Sequence, residues 1–107
     1  MILNLYGDYM IYVSNAFSFQ MISEPKYQLD IEEISKDSFD EVKDKALSSV
    51  GHEETANILG VKFNRIDISL KKEDILYVAQ LTGGRLPEGA TKLPEGFSFK
   101  FLKVELL

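Results

Sequence analysis

Among 107 residues there is one histidine, His52, and no cysteine. Imidazole is the only side chain whose unperturbed titration falls between about pH 5 and 8, so proton transfer near neutrality would fall to His52. It stands in Ser49-Val50-Gly51-His52-Glu53-Glu54-Thr55, where one amphipathic helical pattern stops and another begins. A lone histidine at such a boundary also commonly serves as a surface or capping residue. Only two of the twelve basic residues are arginines, Arg65 and Arg85. Guanidinium presents a planar fork of donors to phosphate, which makes these two the first places to look for an anion contact. The ordinary alternative for each, and above all for Arg65, is a surface ion pair.

Other chemistries are set aside on inventory. The absence of cysteine removes disulfides, thiolate metal sites and thiol nucleophiles together. One histidine leaves no plausible zinc site, and the acidic residues lack the spacing of a calcium loop, so no metal or other cofactor is expected. No Gly-rich loop leads into Lys-Ser or Lys-Thr, no GxGxxG opens a helix, and nothing resembles a nucleophile elbow. A formal charge of −5 argues against long nucleic acid as a partner, which would need many cations on one face. A small anionic ligand held by a few placed cations remains allowed.

The elements that must position these residues follow from patterning. A 45% hydrophobic and 27% charged composition fits one globular domain over residues 1–107, small enough that a second subunit would help bury apolar surface. No run approaches a membrane span, and the N-terminus lacks the flank and cleavage site of a secretory signal. The expectation is a soluble cytoplasmic protein with no membrane partner. Tyr9 to Val13 is a β-rich apolar run; residues 1–9 read as an N-terminal extension or an additional edge strand. Tyr27, Leu29 and Ile31 alternate with polar residues as in a half-buried strand. Ser38-Phe39-Asp40-Glu41 has capping-box spacing, and Phe39, Val42, Ala46, Leu47 and Val50 recur at helical intervals, with Gly51 placed to end that helix in a left-handed conformation. A second short helix carries Glu53 and Glu54 in its first turn and stops at Gly60.

Phe63 to Leu70 alternates again, with Ile66, Ile68 and Leu70 on one face and Arg65, Asp67 and Ser69 on the other. Lys71-Lys72-Glu73-Asp74 reads as a solvated turn. Ile75 to Leu81, polar only at Gln80, suits a central strand covered on both sides. Thr82 to Gly96 is a fifteen-residue loop with four glycines and two prolines before a last strand, Phe97 to Leu106. Loops of that length in compact domains serve a site, are disordered, or are flexible crossovers. The fold class is α+β: a mixed sheet of about five strands with the helices packed on one face.

Three segments together carry a family resemblance. They are Met10-Ile11-Tyr12-Val13-Ser14-Asn15-Ala16-Phe17-Ser18 with Met21, then Ser49 to Thr55, and then Tyr77-Val78-Ala79-Gln80-Leu81 through Arg85-Leu86-Pro87-Glu88-Gly89. In this order they resemble the viral ring nucleases, type III anti-CRISPR proteins. The resemblance implies an α/β homodimer that binds cyclic tetra-adenylate across its dimer cleft. It further implies cleavage without metal to linear di-adenylate with 2′,3′-cyclic phosphate ends, which silences type III CRISPR signalling. A virus-encoded protein of this kind would work in the host cell cytoplasm. Carried over by residue, the resemblance gives catalytic roles to His52, Arg85 and Glu88. It gives ligand contacts to Ser14, Asn15 and Ser18, and, on neighbouring pattern alone, to Ser49, Arg65 and Gln80. The long loop would close over the bound ring. The rival reading is a protein that binds and sequesters or senses the cyclic oligoadenylate without cutting it.

Overall fold

Ile75 to Ala79 is apolar at every position, and in the computed structural model this run becomes the heart of the sheet. The structure describes residues 9–107. In chain order it contains β1 (Ile11–Ser14), β2 (Leu29–Ile34), α1 (Lys36–Val42), β3 (Leu47–Ser49), α2 (Glu53–Leu59), β4 (Ile75–Thr82) and β5 (Ser98–Leu106), with 3₁₀ turns at Phe19–Met21 and Lys43–Lys45. The strand order is β2-β5-β4-β1-β3, with β1 parallel to both β3 and β4, and β5 antiparallel to β4 and β2. This is the expected mixed five-stranded α+β architecture.

Both helices serve one face. Phe39 of α1 and Ala56 and Leu59 of α2 pack with Val13, Tyr77, Ala79 and Phe101. The opposite face carries Tyr12, Leu76, Val78, Val104 and Leu106, and is covered by Ile68, Leu70 and other side chains from irregular segments. Alternation along β4 divides its residues between these two layers, as the two-residue period of a strand requires. Among the described residues no helix is long and apolar enough to cross a membrane. The expected N-terminal extension or edge strand lies almost wholly in residues 1–8, outside the described residues.

Four local expectations are corrected. α1 is capped by Ser35, whose Oγ accepts from the Ser38 backbone N–H at 3.1 Å, so Ser38 lies inside the first turn. The helix ends at Val42 and never reaches Gly51, which does not adopt a positive φ. Leu47 to Ser49 instead form β3, because a strand here satisfies groups that a helix would leave unpaired. Ser48 Oγ donates to the Lys62 carbonyl at 2.7 Å, Ser49 Oγ donates to the Ile66 carbonyl at 2.9 Å, and Val50 is fully buried. Residues 63–70 keep their alternation, with Ile68 and Leu70 buried and Arg65, Asp67 and Ser69 exposed. They run as an extended strap joined by single bridges at Phe63 and Leu70 rather than as a sheet strand. On the β2 edge, Ile31 is 47% exposed, so that strand is less buried than its alternation implied.

The segment read as a solvated turn holds a buried anchor. Asp74 is 4% exposed; its Oδ1 accepts from the Met10 N–H at 2.8 Å and its Oδ2 from the Lys71 N–H at 2.9 Å. It thereby ties the entry of β1 to the entry of β4. Asp74→Ala strands two backbone donors and is expected to lower unfolding free energy by about 2–3 kcal/mol, with a smaller loss for Asp74→Asn, which keeps one acceptor. Urea denaturation with an unchanged m-value checks this; equal stability of all three proteins would show that the carboxylate anchors nothing.

Candidate functional site

Because β1, β3 and β4 are mutually parallel, their carboxyl ends emerge at one edge of the sheet. The register sets Ser14 beside both Ser49 and Val78. The chain therefore leaves β1 and β3 side by side, through Asn15 and through Val50 to His52, while β4 runs four residues further past them before its loop begins at Gly83. Ligands of open α/β sheets bind outside such carboxyl ends, where the diverging connections leave a crevice.

A groove of three adjoining clefts lies there. One, of about 210 Å³, is lined by Asn15, His52, Thr55, Leu81, Arg85 and Leu86. A larger one, of about 410 Å³, includes Ser14, Asn15, Ser49, Gly51, Arg65 and Asp67. Asn15 is common to both, and its side-chain amide makes no hydrogen bond among the described residues. A third cleft, of about 320 Å³, shares Met21, Ile66 and Asp67 with the second and adds Ser18, Gln20 and Ile68. Among the described residues no group of three His, Asp or Glu side chains is arranged to hold a metal ion.

His52 takes the capping role open to it in sequence and also lines the first cleft. It is the N-cap of α2: Nδ1 accepts from the Thr55 N–H at 3.3 Å and lies 3.0 Å from Thr55 Oγ1. A neutral ring held this way carries its proton on Nε2. When the ring is protonated, Nδ1 becomes a donor, and the Thr55 hydroxyl is the acceptor within reach. Gly60 ends α2 in the left-handed conformation that its place in the sequence implies.

Arg65 is held from two sides. Its Nε donates to the Gly51 carbonyl at 3.0 Å, and its guanidinium carbon lies 5.9 Å from the centre of the Phe63 ring. Gly51 is needed because a Cβ there would stand 2.8 Å from Arg65 Cγ. The glycine that sequence reasoning reserved for a helix end thus makes room for an arginine. With Nε committed, both terminal nitrogens of Arg65 make no hydrogen bond among the described residues and border the larger cleft.

The serines are less available. Ser49 Oγ bonds the Ile66 carbonyl and also accepts from the Ile66 N–H at 3.3 Å, while Ser14 Oγ accepts from Ala16 N–H at 3.3 Å and Ser18 Oγ from Gln20 N–H at 3.2 Å. Each holds the backbone of the groove. Arg85 is exposed on the first cleft beside Leu86, which is 6% exposed and anchors that part of the loop. Gln80 and Glu88 are exposed and line none of the three clefts, and Glu88 makes no ion pair with Arg85 or His52. Sequence reasoning passed over Asp67 and Gly51. The alternation that set Asp67 on the same face as Arg65 was the signal for the first; the second depends on a contact fourteen residues away and left none.

Gly51→Ala should displace Arg65 and weaken anion binding in the groove by about tenfold, the usual scale for one charge-assisted hydrogen bond, while leaving α2 intact. Titration with inorganic phosphate, with circular dichroism as the control for folding, checks this; undiminished affinity would mean that Arg65 is not an anion contact.

Comparison with solved structures identifies a similar fold in B116 of Sulfolobus turreted icosahedral virus (STIV), at 19% identity and a TM-score of 0.76, covering 90% of this chain and 98% of that one. A search of curated proteins found no match. A family model described as STIV B116-like matches residues 11–98, a span that holds β1 to β4, His52, Arg65 and Arg85. This chain therefore belongs to the STIV B116-like family.

Proposed function

We propose that this protein is a metal-independent ring nuclease that cuts cyclic tetra-adenylate into linear di-adenylate with 2′,3′-cyclic phosphate ends, thereby blocking type III CRISPR signalling. The observation that carries the reading is the meeting of His52, Arg85 and Asn15 on one cleft, joined through Asn15 to the cleft that holds Arg65. A proton donor and two guanidinium groups are the parts needed for RNA cleavage by an internal nucleophile.

In this reaction the ribose 2′-hydroxyl gives up its proton to water as its oxygen attacks the adjacent phosphorus in line, the bond from phosphorus to the 5′-oxygen breaks, and the 5′-oxygen takes a proton. His52 supplies that proton from its charged form, and the Thr55 hydroxyl accepts from Nδ1 while the ring is charged. Arg85 stabilises the phosphoryl oxygens as charge builds on them, next to Leu81 and Leu86, which limit water. Arg65 holds a phosphate that does not react, and the free amide of Asn15 bridges the two clefts. Two such cuts open a four-nucleotide ring into two identical products, each with a 5′-hydroxyl. A homodimer presenting two copies of the groove matches the symmetry of that substrate. For a virus-encoded protein, the host cytoplasm is where the messenger would be met.

One observation favours a second reading, a protein that sequesters the ring without cutting it. His52 Nδ1 is engaged as the cap acceptor for the Thr55 N–H, and Glu88 does not line the cleft that His52 lines. The two readings separate with His52→Asn. Asparagine is a good N-cap and keeps α2 in place, whereas alanine would confound stability with chemistry. Incubating labelled cyclic tetra-adenylate with each protein in excess chelator should give di-adenylate from the wild type. The His52→Asn rate should be about 10²–10⁴ lower with binding retained. Wild-type binding without products would establish sequestration, and the absence of binding would sink both readings. Light scattering at the working concentration should give the mass of two chains; an active monomer would remove the dimer from the proposal.

A further inference from the structure

Asp67 is out of place in a groove built for phosphate. It lines both the cleft that contains Arg65 and the outer cleft beside the Phe19–Met21 turn. Its carboxylate makes no hydrogen bond or ion pair among the described residues, although Arg65 lies only two positions away. An anion there repels a purely anionic ligand, so a ligand that occupies the groove must bring a hydrogen-bond donor to this point. The surroundings indicate which donor. The outer cleft is lined by the half-buried Met21 and Ile66, apolar groups suited to the face of a flat ring, together with the polar Ser18, Gln20 and Asp67, while Ile68 at its floor is committed to the core. Apolar walls with a few placed polar groups are the usual make-up of a small-molecule subsite.

We propose that this outer cleft takes one adenine base of the ring, and that Asp67 accepts a hydrogen bond from its exocyclic amine. The inference rests on cyclic oligoadenylate being the ligand, and it adds base selection to that reading. Arg65 then anchors a phosphate in the middle cleft while Asp67 reads the neighbouring base, which accounts for a cation and an unpaired anion side by side. Asp67 is a specificity residue here and takes no part in the bond-breaking step.

The test uses the His52→Asn protein in every arm, so that ligand is not consumed. Two probes are titrated calorimetrically: cyclic tetra-adenylate, and the same ring with each 6-amino group replaced by hydrogen. The amino ring should bind about tenfold more tightly, the scale of one hydrogen bond to a charged acceptor. Adding Asp67→Ala should bring that ratio close to one by weakening the amino ring alone, with the other ring unchanged or slightly tighter. Asp67 is exposed and makes no internal bond, so the substitution leaves the fold alone. Tighter binding of both rings by one common factor would mean that the carboxylate merely repels phosphate. Weaker binding of both by one factor would mean that it only shapes the cleft. Equal affinity of the two rings before Asp67 is changed would overturn base selection while leaving the ring as ligand. Failure of both rings to bind would overturn the ligand reading and the subsite with it.

Discussion

The parallel pairing of β1 between β3 and β4 is the constraint on which the rest of the molecule depends. β1 has only four residues, yet Tyr12, Val13 and Ser14 are all buried and each faces a residue on both neighbouring strands. A shift of one residue would exchange Tyr12 and Val13 between the two core layers, placing each side chain on the wrong face. The register also decides where the chain leaves the sheet, and so where Asn15, His52 and Arg85 meet. Asp74 reinforces it from the opposite end by binding the Met10 and Lys71 amides. Fold and site are therefore linked at the level of one short strand.

Around that strand the polar side chains divide their labour. The serines nearest the groove are occupied by backbone groups, which fixes the strap of residues 63–70 and the turn after β1. Among the described residues that line the groove, what remains free includes the Asn15 amide, His52 Nε2, the two terminal nitrogens of Arg65, the Arg85 guanidinium, the Gln20 amide and the Asp67 carboxylate. Few free groups on a rigid frame make a selective site, since little side-chain entropy is lost on binding. The chain's net charge of −5 adds a general repulsion toward polyanions. Attraction then depends on the local arginines at short range, where screening is least effective.

Much of this was legible in the sequence where a local signal and the tertiary structure agree. The central strand announced itself by an apolar run, α2 by its acidic first turn and terminal Gly60, and the strap by its alternation. The region from Val42 to Gly51 was misleading because Leu47 and Val50 stand three apart, a spacing that suits one face of a helix. In the structure the same two residues belong to a strand and its exit, with Leu47 against one core layer and Val50 in the other. What decided between these forms was the reach of Ser48 and Ser49 to carbonyls fourteen and seventeen residues away, which no local window contains. The candidate site divides in the same way. His52, Asn15 and Arg85 meet at one cleft, but that Gln80 and Glu88 lie apart from it follows only from the three-dimensional course of β4 and its loop.

That loop is better described as pinched than as hinged. Thr82 pairs with Ser98 across β4 and β5, and the Thr82 hydroxyl bonds the Ser98 hydroxyl at 2.7 Å. Just beyond, Gly83 lies so close to the returning chain that a Cβ would come within 2.7 Å of the Gly96 carbonyl oxygen. The excursion therefore begins and ends at one fixed point, in the manner of an Ω-loop. Leu86 then inserts into the protein three residues after the pinch. Arg85 lies between these two anchors, which hold its backbone in place before any ligand arrives. The outer half of the loop, which carries the exposed Glu88, is folded into turns of its own, with the Ala90 N–H on the Pro87 carbonyl at 3.2 Å and the Phe97 N–H on the Pro94 carbonyl at 3.1 Å. Arg85 is thus preset at the groove, whereas Glu88 lies further out along the loop. Under the proposed cleavage a fixed arginine suits charge stabilisation, because a donor that need not reorganise would act at full strength as charge develops on the phosphoryl oxygens.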